Sequence, residues 1–211
     1  MHMLNGHSGR ARERPYMDHE LVVLYETILR LEGFGPWYMK CFFVRFALAT
    51  GMRVFELRVV QVVHVLLAYE NPVILIPSGK GPRRNGQNGR ERSVTVIPEF
   101  SHRLRKHMAK QARVPEDYLF WCNTPKQPPA KLTLERWWQY VAWDMARLRH
   151  VPIHQGARGT YASEEARRLT IHVLADQLGN TPNVLQKHYR RPIMGDVYSD
   201  KPPAWREVAA R

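Results

Sequence analysis

The chain has 211 residues, 44% of them hydrophobic, which is enough to bury a core in one large domain or two small ones. Its 32 Lys and Arg residues against 19 Asp and Glu residues leave a formal net charge of +13, which indicates a polyanionic partner, with nucleic acid as the first candidate. No apolar run approaches the roughly 20 residues of a membrane helix, and the basic start of the chain precedes no apolar segment, unlike a secretory signal. We therefore expect a cytoplasmic, nucleoid-associated protein without a membrane partner.

The first part of the chain has helical patterns, after a polar stretch at residues 1–14 that we expect to form a flexible arm. One face of "DHELVVLYETILRLEG" is apolar, which predicts a helix capped by Asp18 and ended by Gly33. The apolar segment "PWYMKCFFVRFALATG" predicts a buried helix that ends at Gly51. The next segment, "RVFELRVVQVV", predicts another helix or helical turn.

The middle of the chain changes to a β pattern. "PVILIP" and "RSVTVIP" are β-branched runs of strand length, and the residues between them are rich in Gly, Arg and Asn. This arrangement predicts an antiparallel hairpin with a long polar tip. After Pro98 the helical pattern returns in "EFSHRLRKHMAKQA" and "KLTLERWWQYVAWDMARLR", with a Pro-rich loop at 123–131 between the two.

The last third of the chain again has helical patterns. We expect Arg158 to open a helix in "ARGTYAS", residues 163–178 to be helical and 183–190 to form a short helix that carries Tyr189. The tail ends in "AWREVAA", a short helix at most. The fold class is therefore α+β, mostly α-helical, with one small antiparallel β-sheet.

Four charged or nucleophilic features follow one another along the chain. Arg53 comes just after a glycine turn, Lys80 lies at the hairpin tip, and Arg158 precedes Tyr189 by 31 residues. A tyrosine oxygen can attack phosphorus and keep the energy of a phosphodiester in a covalent intermediate. Arginines are the best fixed donors to the non-bridging oxygens, and a lysine can protonate the leaving 5′-oxygen. Together these residue types are sufficient for metal-free phosphodiester transfer.

The same four segments resemble the motifs of the tyrosine recombinases, the phage integrase family. "TGMRVFEL" is similar to the first-arginine motif T-G-x-R-x-x-E-L, and "GKG…RERSVTVIP" to the hairpin that carries the catalytic lysine. "ARGTYAS" is similar to the second-arginine motif R-H-T-F-A-S, and "LGNTPNVLQKHYRR" to the L-G-H…Y segment. The resemblance covers roughly residues 16–192, with all four motifs in the family's order.

The resemblance implies a role for each residue of the site. Tyr189 would form a 3′-phosphotyrosine link with double-stranded DNA, Arg53 and Arg158 would bind the scissile phosphate, and Lys80 would protonate the leaving group. No cofactor and no metal is implied. The remaining basic residues near these motifs would contact DNA, and they are Arg83, Arg84, Arg90, Arg92, His188 and Arg190.

Three positions depart from the family's motifs. The family has H-x-x-R, whereas here Gln155 stands three residues before Arg158 and His154 stands four before it, so either His154 reaches the site or Gln155 replaces it. The histidine of L-G-H is Asn180, whose amide can donate a hydrogen bond but cannot ionise. The histidine after the second arginine is Gly159.

The resemblance leaves alternatives open for the domain organisation and for the activity. We expect a catalytic domain at residues 15–192 and a tail at 193–211. Such proteins usually carry a core-binding domain before the catalytic domain, so the sequence is either a catalytic-domain fragment or a compact variant. The tail docks on a neighbouring copy in a homo-oligomer on DNA, is disordered, or folds back on its own domain. The activity is that of a site-specific recombinase, and the alternatives are type IB topoisomerase-like relaxation and a DNA-binding regulator with impaired catalysis.

Overall fold

The computed structural model describes residues 14–76, 91–110, 114–189 and 203–211, except for the side chains of 187–189. The helices are α1 Asp18–Glu32, α2 Gly35–Thr50, α3 Val54–Val59, α4 Pro98–Lys110, α5 Lys131–Trp138, α6 Ile153–Glu165, α7 Ile171–Leu178, α8 Pro182–Tyr189 and α9 Ala204–Ala210. A π-helical stretch, Gln139–Met145, extends α5. The strands are β1 Val65–Leu66, β2 Val73–Ile76 and β3 Arg92–Thr95. No helix in this part of the chain is long and apolar enough to cross a membrane.

Helix α2 is the centre of the core. Every residue from Cys41 to Thr50 is buried, and α1, α5 and α6 all pack against this helix. Aromatic rings fill the space on one side, where Phe43 and Phe46 meet Phe120 edge-on at 5.3 Å between ring centroids. The sequence prediction of a buried helix ending at Gly51 is therefore confirmed.

The sheet has the order β1-β2-β3, and both pairs of strands are antiparallel. The predicted hairpin is confirmed: Val73 pairs with Thr95, and Ile76 pairs with Arg92. Its tip, residues 77–90, lies outside the described residues. Strand β1 was not predicted, because the helical pattern was extended to residue 63. The structure ends α3 at Val59 and places a 3₁₀ turn at Val62–His64 before β1, whose two residues are too few to show a strand pattern in the sequence.

Helix α6 differs most from the sequence prediction. It begins at Ile153, so Arg158 lies in its middle and does not open it. Its two glycines do not interrupt the helix, because both serve close packing. A Cβ at Gly156 would lie 2.3 Å from Cζ2 of Trp138, and one at Gly159 would lie 2.9 Å from Cγ of Pro15. The predicted helix over 163–178 is in fact two, separated before Thr170, whose hydroxyl accepts from the N–H of Val173.

Helix α9 packs on this chain's own α1 and α4. The two large apolar side chains of this helix are buried, with Trp205 3% and Val208 7% exposed. Trp205 stacks on Tyr25 of α1 with 5.6 Å between ring centroids. This arrangement corresponds to the alternative in which the tail folds back on its own domain. Docking on a neighbouring copy stays a prediction.

Candidate active site

Arg158 connects the ends of two helices. Its side chain is buried, and its Nη1 donates to the carbonyl of Gly51 at 2.9 Å, while its Nη2 donates to the carbonyl of Leu178. Gly51 follows the last residue of α2, and Leu178 is the last residue of α7. Carbonyl groups at helix C-termini carry partial negative charge and lack partners within the helix, so they favour a guanidinium.

Gly51 is a glycine for two reasons. Its φ of +58° lies in the left-handed region, and a Cβ there would lie 2.7 Å from Cδ1 of Tyr161 on α6. The Tyr161 ring is held in place by its hydroxyl group, which lies 3.2 Å from the Thr95 carbonyl and 2.6 Å from Oε1 of Gln177. The turn that presents the Gly51 carbonyl to Arg158 therefore depends on a residue without a side chain.

We expect Gly51→Ala to lower the free energy of unfolding by about 2 kcal/mol or more, because left-handed backbone and an overpacked ring contact each cost about 1–2 kcal/mol. Urea denaturation measures the change. Gly33→Ala is the matched control, since Gly33 has a φ of −68° and nothing within 4 Å of an added Cβ. Equal effects of the two substitutions would contradict the argument.

Arg53 lies at the N-cap of α3 and points toward the same turn as Arg158. Its Nη2 donates to the carbonyl of Gly179 at 3.0 Å and to Oδ1 of Asn180 at 3.2 Å. Because Arg158 is bound to the carbonyl of Leu178, the two guanidinium groups are bound to consecutive residues of one turn. The Arg53 side chain is 46% exposed, so it can meet a ligand from solvent.

Glu56 holds the cationic groups in place. It accepts from Nη1 of Arg53 at 3.1 Å, and Arg92 binds it in a bidentate manner at 2.8 and 2.7 Å. Burial alone would raise the pKa of Glu56, but the hydrogen bonds and charge of Arg92 and the backbone N–H of Arg53 outweigh it and hold that pKa below its usual value. Glu56 is therefore ionised at neutral pH and acts as an acceptor.

The turn after α7 is a Schellman motif. The N–H of Asn180 donates to the carbonyl of Ala175 at 2.9 Å, and the N–H of Gly179 donates to that of Asp176 at 3.0 Å. Gly179 has a φ of +58°, and a Cβ there would lie 3.1 Å from Nε of Arg92 and 3.4 Å from Nη1 of Arg53. The left-handed backbone thus favours a glycine here, and the side chain of Arg92 leaves little room for a Cβ.

His154 and Gln155 both lie in the first turn of α6. They precede Arg158 by four and three residues, so both project from the side of the helix that carries Arg158. His154 is exposed and Gln155 is half-buried. The geometry of the helix allows either side chain to complete the site, as the sequence indicated.

Tyr189 is the last residue of α8, and its side chain lies outside the described residues, as does that of His188. The helix itself is placed by Leu185, which is 3% exposed, and by contacts with α6 and α7. Because α8 starts two residues after Asn180, the helix of Tyr189 leads directly away from the turn that binds Arg53 and Arg158. Five further residues of the predicted site lie outside the described part of the chain: Lys80, Arg83, Arg84, Arg90 and Arg190.

Sequence reasoning assigned Arg92 to DNA contact, whereas its described bonds are internal. Besides Glu56, it binds the carbonyl of Gln177 at 2.9 Å, and its side chain is 11% exposed. The organising part played by Glu56 was also missed, because a glutamate three residues after an arginine is common as a simple helical ion pair. The one sequence signal was that Glu56 occupies the glutamate position of the motif T-G-x-R-x-x-E-L.

No family model matches the chain, and no curated protein sequence does. Several solved structures match. The XerA recombinase aligns with a TM-score of 0.64 at 22% identity, over 83% of this chain and 60% of that protein. The XerH site-specific recombinase bound to its difH substrate aligns with a TM-score of 0.66 at 19% identity, over 86% of this chain and 52% of XerH.

A lambda integrase dimer bound to a COC′ core site aligns with a TM-score of 0.60 at 14% identity, over 92% of this chain and 64% of the integrase chain. The chain thus spans about half to two thirds of the length of these proteins. At such identities the likeness concerns the fold, and it agrees with the mostly helical architecture and the small antiparallel sheet. The chain has the fold of the tyrosine recombinases.

Proposed function

We propose that the chain is a DNA strand transferase, a site-specific recombinase or integrase that cleaves and rejoins DNA through a 3′-phosphotyrosine intermediate. The observation that carries this proposal is the meeting of Arg53, Arg158 and Asn180 at one turn, directly before the helix of Tyr189. The fold supports it, since XerH and lambda integrase share that fold and are described in complexes with DNA.

The proposed reaction forms one ester bond and breaks another. The Tyr189 hydroxyl loses its proton to water as its oxygen attacks the scissile phosphorus, so a tyrosine O–P bond forms at the 3′ end while the bond from phosphorus to O5′ breaks. Lys80 donates a proton to the leaving O5′. Arg53 and Arg158 bind the non-bridging oxygens, on which negative charge increases in the transition state. Rejoining is the reverse reaction, with the 5′-hydroxyl as the nucleophile.

Asn180 and the first turn of α6 supply further donors. The Oδ1 of Asn180 accepts from Arg53, which turns the amide nitrogen toward other partners, and within the described part of the chain that nitrogen has no hydrogen bond. It is therefore suited to donate to a phosphate oxygen, as a histidine would. His154 or Gln155 would donate from the other side of Arg158.

The hairpin supports the assignment of Lys80. Ile76 is the last residue of β2, and it pairs with Arg92, whose guanidinium is bound to Glu56 in the site. Lys80 follows Ile76 by four residues, a stretch of chain that spans at most about 14 Å. This short connection to a strand that borders the site supports the proposed role of Lys80. Arg83, Arg84 and Arg90 lie in the same segment of the sequence and are proposed to contact DNA, as are His188 and Arg190, whereas the bonds of Arg92 to Glu56 and Gln177 assign it to holding the site together.

A DNA-binding regulator without catalysis is the second candidate. It is favoured by the burial of Arg158, which is 4% exposed and has both terminal nitrogens bound to main-chain carbonyls. Such an arginine can stabilise the fold without binding phosphate.

Topoisomerase-like relaxation would use the proposed chemistry without strand exchange.

Trapping of a covalent complex tests the proposal. The full chain is incubated with a pool of nicked random-sequence duplexes, the reaction is stopped with detergent, and the protein is digested for mass spectrometry. We expect a nucleotide attached to the peptide that contains Tyr189, because a nick just beyond the cleavage site lets the short fragment with the released 5′-hydroxyl diffuse away before it can rejoin. DNA binding without any covalent complex would favour the regulator.

For recombination, two copies or more must assemble on DNA, and the tail is the proposed connection. Thirteen residues, 190–202, separate the helix of Tyr189 from α9 in the sequence, so the surface of α1 and α4 that holds α9 on one copy is proposed to receive α9 of a neighbour.

A further inference from the structure

We propose that Tyr161 is a positioning residue of the candidate site: through Gln177, its hydroxyl group fixes the turn after α7 in the place where the arginines bind it. The effect of Tyr161 on cleavage rests on the proposed function. Its effect on the turn does not, and that effect can be measured without DNA.

The end of α7 presents the main-chain carbonyls of consecutive residues to three arginines. The bonds run from Nε of Arg92 to Gln177 at 2.9 Å, from Nη2 of Arg158 to Leu178, and from Nη2 of Arg53 to Gly179 at 3.0 Å. A rotation of this one turn would therefore move the acceptors of all three guanidinium groups together. The position of the turn decides where the proposed phosphate-binding groups lie.

The side chain of Gln177 ties this turn to the two elements beside it. Its Oε1 lies 2.6 Å from the hydroxyl oxygen of Tyr161 on α6, and its Nε2 lies 3.5 Å from Oγ1 of Thr95 on β3. The carbonyl of the same residue accepts from Arg92. Gln177 is thus held by its side chain on one side and by its main chain on the other, which sets the rotation of the last turn of α7.

The Tyr161 hydroxyl group is the donor in this contact. It has one proton, and Oε1 of Gln177 at 2.6 Å is a closer acceptor than the carbonyl of Thr95 at 3.2 Å. Burial, and less strongly the charge of Glu165, raises the pKa of Tyr161, so the hydroxyl keeps its proton at neutral pH. Without this donor the Gln177 amide would have to turn toward another partner or toward water.

The ring of Tyr161 has a separate structural part. It fills the space beside Gly51, where an added Cβ would lie 2.7 Å from Cδ1 of the ring. The motif R-H-T-F-A-S has a phenylalanine at this position, so the hydroxyl group is what this chain adds. Tyr161→Phe therefore keeps the ring and removes only the hydrogen bond.

Hydrogen exchange of the full chain without DNA tests the positioning. We expect Tyr161→Phe to increase the exchange rates of the Gly179 and Asn180 amides, which donate within the turn, by about fivefold to tenfold, the usual effect of losing one hydrogen bond. Exchange in α1 should stay as in the unchanged chain. Tyr38→Phe is the matched control, because its hydroxyl lies 2.9 Å from Nδ1 of His107, between α2 and α4, and its loss should leave the turn unchanged. Unchanged exchange of the turn with Tyr161→Phe would overturn the proposal.

A double-mutant cycle with Gln177→Leu tests whether the hydroxyl acts through Gln177. In the Gln177→Leu background, Tyr161→Phe should have no further effect on the exchange of the turn, because the partner of the hydroxyl is already absent. Additive effects of the two substitutions would show that the hydroxyl acts through another group and would contradict the proposed route.

Single-turnover cleavage of the duplex recovered by trapping tests the consequence for the site. Tyr161→Phe should lower the rate by about tenfold and leave DNA affinity unchanged, because small displacements of groups that bind the transition state reduce the rate. A methylphosphonate at the scissile position has one negative charge less, so its cleavage depends less on the arginines, and the loss should shrink to about twofold.

A domain that was merely less stable would lose the same factor on both esters, and that result would remove the effect of Tyr161 on the arginines. If the unchanged chain cleaves no duplex, the proposed function fails, while the exchange of Gly179 and Asn180 still decides whether Tyr161 positions the turn.

Discussion

Tyr189→Phe should form no covalent complex with DNA and should bind DNA as the unchanged chain does. The substitution removes one oxygen, the proposed nucleophile, and phenylalanine and tyrosine have similar helix propensities, so α8 should form as before. Affinity should persist because it comes mainly from contacts between basic side chains and phosphates. The expected change in covalent complex is a loss to below detection.

The measurement is the detergent-resistant complex on nicked duplexes, with binding followed separately by fluorescence anisotropy at one salt concentration. Tyr140→Phe is the matched control, because Tyr140 is 45% exposed on the stretch that extends α5. That variant should form the complex at the rate of the unchanged chain. A covalent complex formed by Tyr189→Phe would place the nucleophile elsewhere and remove the proposed mechanism.

The fold could be predicted where a local pattern decided the structure. The apolar face of α1 and the apolar run of α2 identified both helices, and the β-branched runs before and after the tip identified β2 and β3. Helix α6 could not be predicted in the same way. Its glycines, Gly156 and Gly159, look like helix breakers until Trp138 and Pro15 are seen in the space that a Cβ would need.

The candidate site, like the fold, could be predicted in part from the sequence. The motifs located Arg53, Arg158 and Asn180, and the structure brings all three to the turn after α7. The internal bonds of Arg92 with Glu56 could not be foreseen, because they depend on how strand β3 is placed against α3. A sequence pattern gives the residue type and spacing but not the partner of a long side chain.

Arg53 also shows why two interpretations of one residue need not compete. Its ion pair with Glu56 is present, as expected for residues three apart on a helix, and its exposed guanidinium still reaches the turn at Gly179. Exposed pairs of this kind contribute less than about 1 kcal/mol to stability. We infer that the ion pair orients Arg53 more than it stabilises the fold.

Arg158→Lys should lower the rate of DNA cleavage by about a hundredfold to a thousandfold, the usual effect of losing one fixed donor to a developing oxyanion. A lysine keeps the charge but cannot bind two main-chain carbonyls and a phosphate at once, because it lacks the planar fork of the guanidinium. Since Arg158 is buried between Gly51 and Leu178, the melting temperature should fall as well. The rate must therefore be measured per folded molecule, in single-turnover reactions below the melting transition.

Arg105→Lys separates the catalytic effect from the structural one. The Nη1 and Nη2 of Arg105 also bind main-chain carbonyls, those of Leu67 and Tyr69, but its bonds serve the loop between β1 and β2. Its replacement should lower the melting temperature and leave the cleavage rate of folded molecules unchanged. If the two lysine variants lost cleavage only in proportion to their unfolded fraction, Arg158 would serve the fold alone, and the phosphate would have to be bound by Arg53 without it.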